Sequence, residues 1–61
     1  MKTVITIKKS DGTGVTIFTS HIVYIEHALS GCNIYTNAAG TYALINTSYT
    51  WPELLVVLEK D

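Results

Sequence analysis

The sequence predicts an α+β domain, a small five-stranded antiparallel β-meander with a C-terminal α-helix. Three observations carry that expectation. Three β-type runs, 22–28, 32–36 and 41–47, follow one another closely, separated by Leu29-Ser30-Gly31 and by Asn37-Ala38-Ala39-Gly40. Two earlier runs flank the turn Ser10-Asp11-Gly12-Thr13-Gly14 and read as a hairpin added to one edge of the meander. Finally, Thr50-Trp51-Pro52-Glu53 opens an apolar run at helical spacing. The expected strands are about 3–9, 15–19, 22–29, 32–36 and 41–47, and the helix about 51–60, within one domain over 1–61.

The first strand is an alternation: Thr3, Ile5 and Ile7 point one way, Val4, Thr6 and Lys8 the other. In the turn that follows, Gly12 and Gly14 can take the positive φ such connections require. Val15-Thr16-Ile17-Phe18 is the returning strand, and Thr19-Ser20-His21 interrupts it before the meander begins.

Parity assigns the meander its faces. Closing the second hairpin over Asn37–Gly40 sets Thr36 against Thr41, Tyr35 against Tyr42, Ile34 against Ala43 and Cys32 against Ile45. Closing the first with Ser30-Gly31 sets Leu29 against Cys32, His27 against Ile34 and Glu26 against Tyr35. One face then carries Val23, Ile25, His27, Leu29, Cys32, Ile34, Ala43 and Ile45. The other carries Tyr24, Glu26, Asn33, Tyr35, Tyr42, Leu44 and Asn46. A three-residue first loop would put Glu26 among the aliphatics, a costly slip wherever a face is buried.

The helix has a readable start. Thr50 is the N-cap, Glu53 reaches back from the third helical position, and Pro52 sits where its missing N–H costs nothing. Trp51, Leu54, Leu55 and Leu58 form one stripe at i, i+3, i+4, i+7. Val56 and Val57 fall outside it and are the expected oligomer interface. A sixth strand competes for the Leu-Leu-Val-Val-Leu run; the cap favours the helix.

A chain of 61 residues buries only about 60% of its unfolded surface, so disulfides, a metal or oligomerisation usually support it. The single cysteine, Cys32, excludes an intramolecular disulfide, and with His21 and His27 it falls short of a tetrahedral zinc set. Homo-oligomerisation is the support that remains, and a 48% hydrophobic content suits it. No cofactor or metal is expected. Net charge is −1, with Lys2, Lys8, Lys9 and Lys60 and no arginine, which disfavours nucleic acid and anionic membranes as partners. The apolar run Leu54–Leu58 is too short to span a bilayer. Met1-Lys2 leads into Thr3 and Thr6 without a signal-peptide core, so the expected location is cytoplasmic.

The segments Ser20-x-Ile22-Val23-Tyr24-Ile25-Glu26, Asn33-Ile34-Tyr35-Thr36, the Gly40 turn, Tyr42-x-Leu44 and Thr50-x-x-Glu53-Leu54-Leu55 resemble the LytTR DNA-binding domain over about residues 13–58. That family's pattern is an Ile-x-Tyr-Ile-Glu strand, two Tyr-containing strands about a Gly turn, and a Ser/Thr-Leu-x-x-Leu helix start. A weaker resemblance, closer in size, is to short FlbD-like flagellar proteins. The first resemblance implies a β-rich regulator that contacts DNA through basic inter-strand loops. Here those loops hold no Lys or Arg, so no DNA-contact residue carries over.

Candidate chemistry is sparse. His27 and Cys32 share a face, but no acid is placed to orient the imidazole, and a cysteine among Ile and Leu is ordinarily an inert core residue. His21 reads as a solvated loop residue. Glu26 is the one carboxylate inside the meander and lacks the partner a general acid needs. Asp11–Gly14 lies between strands, whereas a phosphate cradle opens a helix. No catalytic residue is assigned, and the chain is not expected to be an enzyme.

The row Tyr24, Glu26, Asn33, Tyr35, Tyr42 and Asn46 fits two readings: a partner-binding surface, since tyrosines favour protein interfaces, or cross-strand pairing on a solvated sheet. The expected role is a non-enzymatic regulatory or adaptor module that self-associates and binds another protein through this face. The alternative is a compact LytTR-like transcriptional regulator binding DNA as an oligomer.

Overall fold

The structure, a computed structural model, describes residues 2–59. Strands β1 (Val4–Lys8), β2 (Gly14–Phe18), β3 (Ile22–Ala28), β4 (Gly31–Ala38) and β5 (Thr41–Thr47) precede helix α1 (Trp51–Glu59), with a 3-10 turn at Thr19–His21 between β2 and β3. The α+β class, five antiparallel strands and one C-terminal helix, is the one expected. The expected helix end near residue 60 lies outside the described residues.

Alternation places the core. In β1, Ile5 and Ile7 are buried while Val4, Thr6 and Lys8 are exposed; Ile17 is the buried member of β2. These side chains meet Cys32, Ile34 and Ile45 from the meander and Leu54 and Leu58 from α1 in one cluster. The strands divide into a β1–β2 hairpin and a β3–β4–β5 meander. The hairpin attaches at the β5 edge, where Lys9 bridges Thr47 and the Ser10 N–H donates to the Asn46 carbonyl at 2.8 Å. Asp11 closes the hairpin turn by accepting from the Thr13 N–H at 3.0 Å and the Thr13 hydroxyl at 2.6 Å. Gly12 takes φ 93°, whereas Gly14 belongs to β2 and does not use the left-handed region.

Both meander hairpins pair two residues away from the expected register. The second closes over Ala39-Gly40 alone, with φ 53° and 85°, and sets Ala38 opposite Thr41. Two consecutive positive φ values make the tight turn whose twist matches the flanking strands. Extending β4 to Ala38 therefore wins over the four-residue loop, and Asn37 Oδ1 accepts the Gly40 N–H at 3.1 Å. Tyr35 lies opposite Leu44 rather than Tyr42, Ile34 opposite Ile45, and Cys32 opposite Thr47.

The first hairpin turns over Leu29-Ser30, setting Ala28 opposite Gly31, His27 opposite Cys32 and Glu26 opposite Asn33. Gly31 is thus a strand residue, needed for close approach: a Cβ there would collide with the Thr47 carbonyl. Shifts of two preserve parity, so most face assignments survive. Two do not. A bulge between Ile22 and Tyr24 sets Ile22 opposite Thr36 and leaves Val23 55% exposed, and Leu29 stands fully exposed in its turn. Ala43 keeps its inner-face parity but is exposed, because no element covers that end of β5.

The capping box of α1 forms. The Thr50 N–H donates to Glu53 Oε1 at 2.9 Å, and the Glu53 N–H points to the Thr50 hydroxyl at 3.4 Å. Leu54 and Leu58 are buried, and Trp51 and Val57 pack on the core. The helix therefore turns a little from its expected stripe: Val57 faces inward, while Leu55 (39% exposed) and Val56 (58%) form the open side. Tyr49, just before the N-cap, also packs on the core, and its hydroxyl accepts the Lys8 N–H at 3.2 Å, pinning β1 to the helix entry. Among the described residues no buried side-chain nitrogen or oxygen lacks a partner; buried Thr47 donates to the Cys32 carbonyl at 2.8 Å.

Candidate protein-binding face

The outer face of the meander is built from the residues whose parity turns them away from the core. Three cross-strand rows cross it: Glu26–Asn33–Asn46, Tyr24–Tyr35–Leu44, and Asn37–Tyr42. The six residues singled out from the sequence, Tyr24, Glu26, Asn33, Tyr35, Tyr42 and Asn46, thus share this surface, together with Leu44 and Asn37. Tyr24 and Tyr35 stack with centroids 4.3 Å apart and ring planes 16° from parallel. The Tyr35 hydroxyl donates to Glu26 Oε1 at 3.2 Å. Desolvation, then the neighbouring Glu26 charge, raises the Tyr35 phenol above its ordinary value.

The tyrosines differ in role. Tyr35 is half-buried and anchored on both sides, whereas Tyr24 (53% exposed) and Tyr42 (76%) are open, as is Leu44 (50%). Tyr35, Tyr42 and Leu44 line a shallow depression of about 300 Å³ whose floor includes Thr36 and Ala43. It offers one aromatic wall already fixed by stacking and one mobile enough to adapt, since exposed rings hop rotamers freely. Such a concavity accommodates an apolar side chain, and Glu26, Asn33 and Asn46 supply acceptors and donors at its margin.

The remaining candidates are placed less favourably for chemistry. His27 does lie opposite Cys32, closer than expected, but its ring stacks on Trp51 at 5.1 Å, while Cys32 is 1% exposed. A thiolate nucleophile needs access. His21 is half-buried against Phe18 (centroids 5.4 Å), not free in a loop as expected. Among the described residues no three His, Cys, Asp or Glu side chains gather as a metal-ligand set. No helix among them is long and apolar enough to cross a membrane.

A second depression, about 390 Å³, collects Lys8, Lys9, Ser10, Gly12, Ser48, Tyr49 and Glu53. Most of its backbone amides are committed: Lys8 to Tyr49, Lys9 to the Thr13 carbonyl, Ser10 to Asn46, Gly12 to the Lys9 carbonyl and Glu53 to the Thr50 hydroxyl. Glu53 adds a carboxylate held below its usual range by the Thr50 N–H and hydroxyl. Neither feature suits a phosphate cradle, which needs free N–H groups and positive potential.

No family model, curated protein or solved structure matches the chain. Two structural contributors, Tyr49 and the Val23 bulge, lie outside the sequence expectations. Tyr49 was legible as an aromatic residue before an N-cap, the position from which a hydrophobic staple folds back on the helix. The Val23 bulge had no such signal, because a run of β-branched residues reads the same with or without one.

Proposed function

We propose that this chain is a small non-enzymatic regulatory or adaptor module that self-associates and binds another protein through its tyrosine-bearing sheet face. The observation that carries this reading is the depression among Tyr35, Tyr42 and Leu44, flanked by the stacked Tyr24–Tyr35 pair. Open aromatics beside a concavity are the usual seat of interface binding energy. Charge supports a protein partner over nucleic acid. Among the described residues the face carries Glu26 and no lysine, and Lys9 lies at its rim beside Asp11.

The test compares two double variants in capture from host lysate, run beside thermal melts. Tyr35→Ala/Tyr42→Ala should stay folded and lose the captured partner, since aromatic anchors contribute about 2 kcal/mol or more each. Ile34→Ala/Ile45→Ala should lose the fold itself. Retention of the partner by the tyrosine double variant would remove this face from the binding site. Tight, salt-steep binding to a defined DNA duplex would move the conclusion to a LytTR-like regulator acting as an oligomer.

A further inference from the structure

Strand β5 has two edges, and one is almost unused. β4 occupies the first. Along the second, among the described residues, contact from another strand is confined to the Lys9–Thr47 bridge and its Ser10 N–H to Asn46 carbonyl bond. That bond also sets the parity of the strand. The Asn46 carbonyl points away from β4, and outward and inward groups alternate along an antiparallel strand. Tyr42 and Leu44 therefore also direct their N–H and C=O groups to the open edge, while Ala43 and Ile45 bond β4.

Free edges are ordinarily guarded by a charge, a proline or a bulge. The other edge of the meander, β3, has its Val23 bulge and carries Glu26. β5 itself has none of these: its seven residues are uncharged, lack proline and pair with β4 in unbroken register, and the nearest charges, Lys9 and Asp11 of the β1–β2 turn, stand beside Leu44 and Asn46 toward its Thr47 end.

We propose that β5 pairs antiparallel with β5 of a second copy about a two-fold axis through Ala43, joining two meanders into one six-stranded sheet. In this register Tyr42 of each copy faces Leu44 of the other, and their N–H and C=O groups form four hydrogen bonds that use every outward group of both residues. Ala43 faces its own counterpart at the non-hydrogen-bonded site, where strands come closest. A small side chain fits there, and Ala43 is exposed in the single chain although its parity is that of the inner face. On the outer face Tyr42 and Leu44, 76% and 50% exposed, become aromatic–aliphatic cross-strand pairs. The ladder ends there, because Ser10 already holds the Asn46 carbonyl. The occupant is a second copy because Tyr42-Ala43-Leu44 is self-complementary, large and apolar on both sides of a small centre. This assignment rests on the self-association proposed above and moves its seat from Val56 and Val57 to β5.

Light scattering on a sizing column, over micromolar to millimolar chain, reads the result. The wild type should reach twice the single-chain mass. Leu44→Pro removes an outward N–H without touching the β4 ladder, a substitution edge strands accept. It should weaken the dimer by about tenfold or more while keeping the native circular dichroism spectrum. Ala43→Lys sets two like charges on the axis and should give a monomer, so the test stands even where the proline variant fails to fold. Val56→Asp should leave the dimer intact. A wild type that stays at single-chain mass overturns both this assignment and the self-association reading, leaving the edge for another protein's strand. A dimer that survives Ala43→Lys and dissolves with Val56→Asp overturns the assignment alone and places the contact on α1.

Discussion

Ala39 holds φ 53° as the first residue of a two-residue hairpin turn, followed by Gly40 at 85°. A side chain with a Cβ sits in that region at a cost of roughly 1–2 kcal/mol, because Cβ crowds the following carbonyl oxygen. Asparagine tolerates it better, and Asn-Gly is the preferred pair for this turn type. Ala39→Asn should therefore stabilise the fold by about 0.5–1 kcal/mol, the portion of that strain an asparagine relieves. Ala39→Gly should gain less, since glycine's larger unfolded-state entropy offsets about 0.4–1 kcal/mol. For a domain of this size 1 kcal/mol moves the melting temperature by about 4–8 °C, so a thermal melt at fixed chain concentration resolves the effect. Ala38, which pairs with Thr41 inside the ladder, supplies the control: Ala38→Asn should be neutral or destabilising, as asparagine is poor in strands. If neither Ala39 variant raises the melt, Ala39 does not sit at positive φ. The hairpin would then close over four residues and Tyr35 would face Tyr42, while the parity of β5, set by the Ser10–Asn46 bond, would stay as it is.

Other substitutions test other parts of the fold. Gly31→Ala should destabilise by about 1–3 kcal/mol in a denaturant titration, because its Cβ meets the backbone at Thr47 and Ser48 rather than a yielding side chain. Ile34, fully buried between Ile25 and Ile45, should cost about 2–5 kcal/mol as Ile34→Ala, whereas Tyr42→Ala on the open face should cost under about 1 kcal/mol. Glu53 and Asp11 are both held below their ordinary pKa by hydrogen bonds from Thr50 and Thr13. A depressed folded pKa stabilises above the unfolded value and loses that contribution as pH falls through the folded one. The melting temperature should fall as pH drops below about 4.5, less steeply in Glu53→Gln. Spectrophotometric titration should show Tyr35 ionising above the ordinary phenol value, and Glu26→Gln should bring it only part of the way back, because desolvation contributes most and the Glu26 charge second.

Much of the architecture could be read from the chain. Strand alternation, the Asp11–Gly12 turn and the Thr50–Glu53 box are local devices, each written in adjacent residues, and each forms in the structure. Register was legible only to parity. The faces depend on even or odd spacing, which the Ile and Tyr pattern shows, but the absolute pairing depends on which residue of Asn37–Gly40 accepts positive φ. An alanine in that role leaves no signal. Gly31 misled in a similar way, since a glycine beside Leu29-Ser30 reads as turn when its reason is the Thr47 backbone passing close by. The helix valines illustrate a third limit. Val56 and Val57 are adjacent and chemically alike, and packing geometry alone turns Val57 inward while Val56 stays open. The tyrosine face was legible as a face because three strands share one parity. Its depression was not, because that requires Tyr42 to stand diagonally across from Tyr35, with Leu44 directly opposite Tyr35.

The Lys2 N–H donates to the Leu58 carbonyl at 3.1 Å, and the Thr19 hydroxyl to the Lys2 carbonyl at 2.7 Å. The first described residue is thereby stitched to the last turn of α1, and residues 2–58 run almost as a closed ring. A short glycine-serine linker across that junction would let the ring be opened elsewhere. The Leu29-Ser30 turn is the natural place, being solvent-exposed on both residues and free of side-chain hydrogen bonds among those described. Such a permutant would begin with β4 and end with β3, converting the Lys2–Leu58 contact into a local one and the β3–β4 hairpin into a pairing of its two ends. Contact order would be redistributed without moving an atom of the core. The permutant's refolding rate, set against the parent's, would then report whether the β3–β4 hairpin or the closure of β1 on α1 forms first.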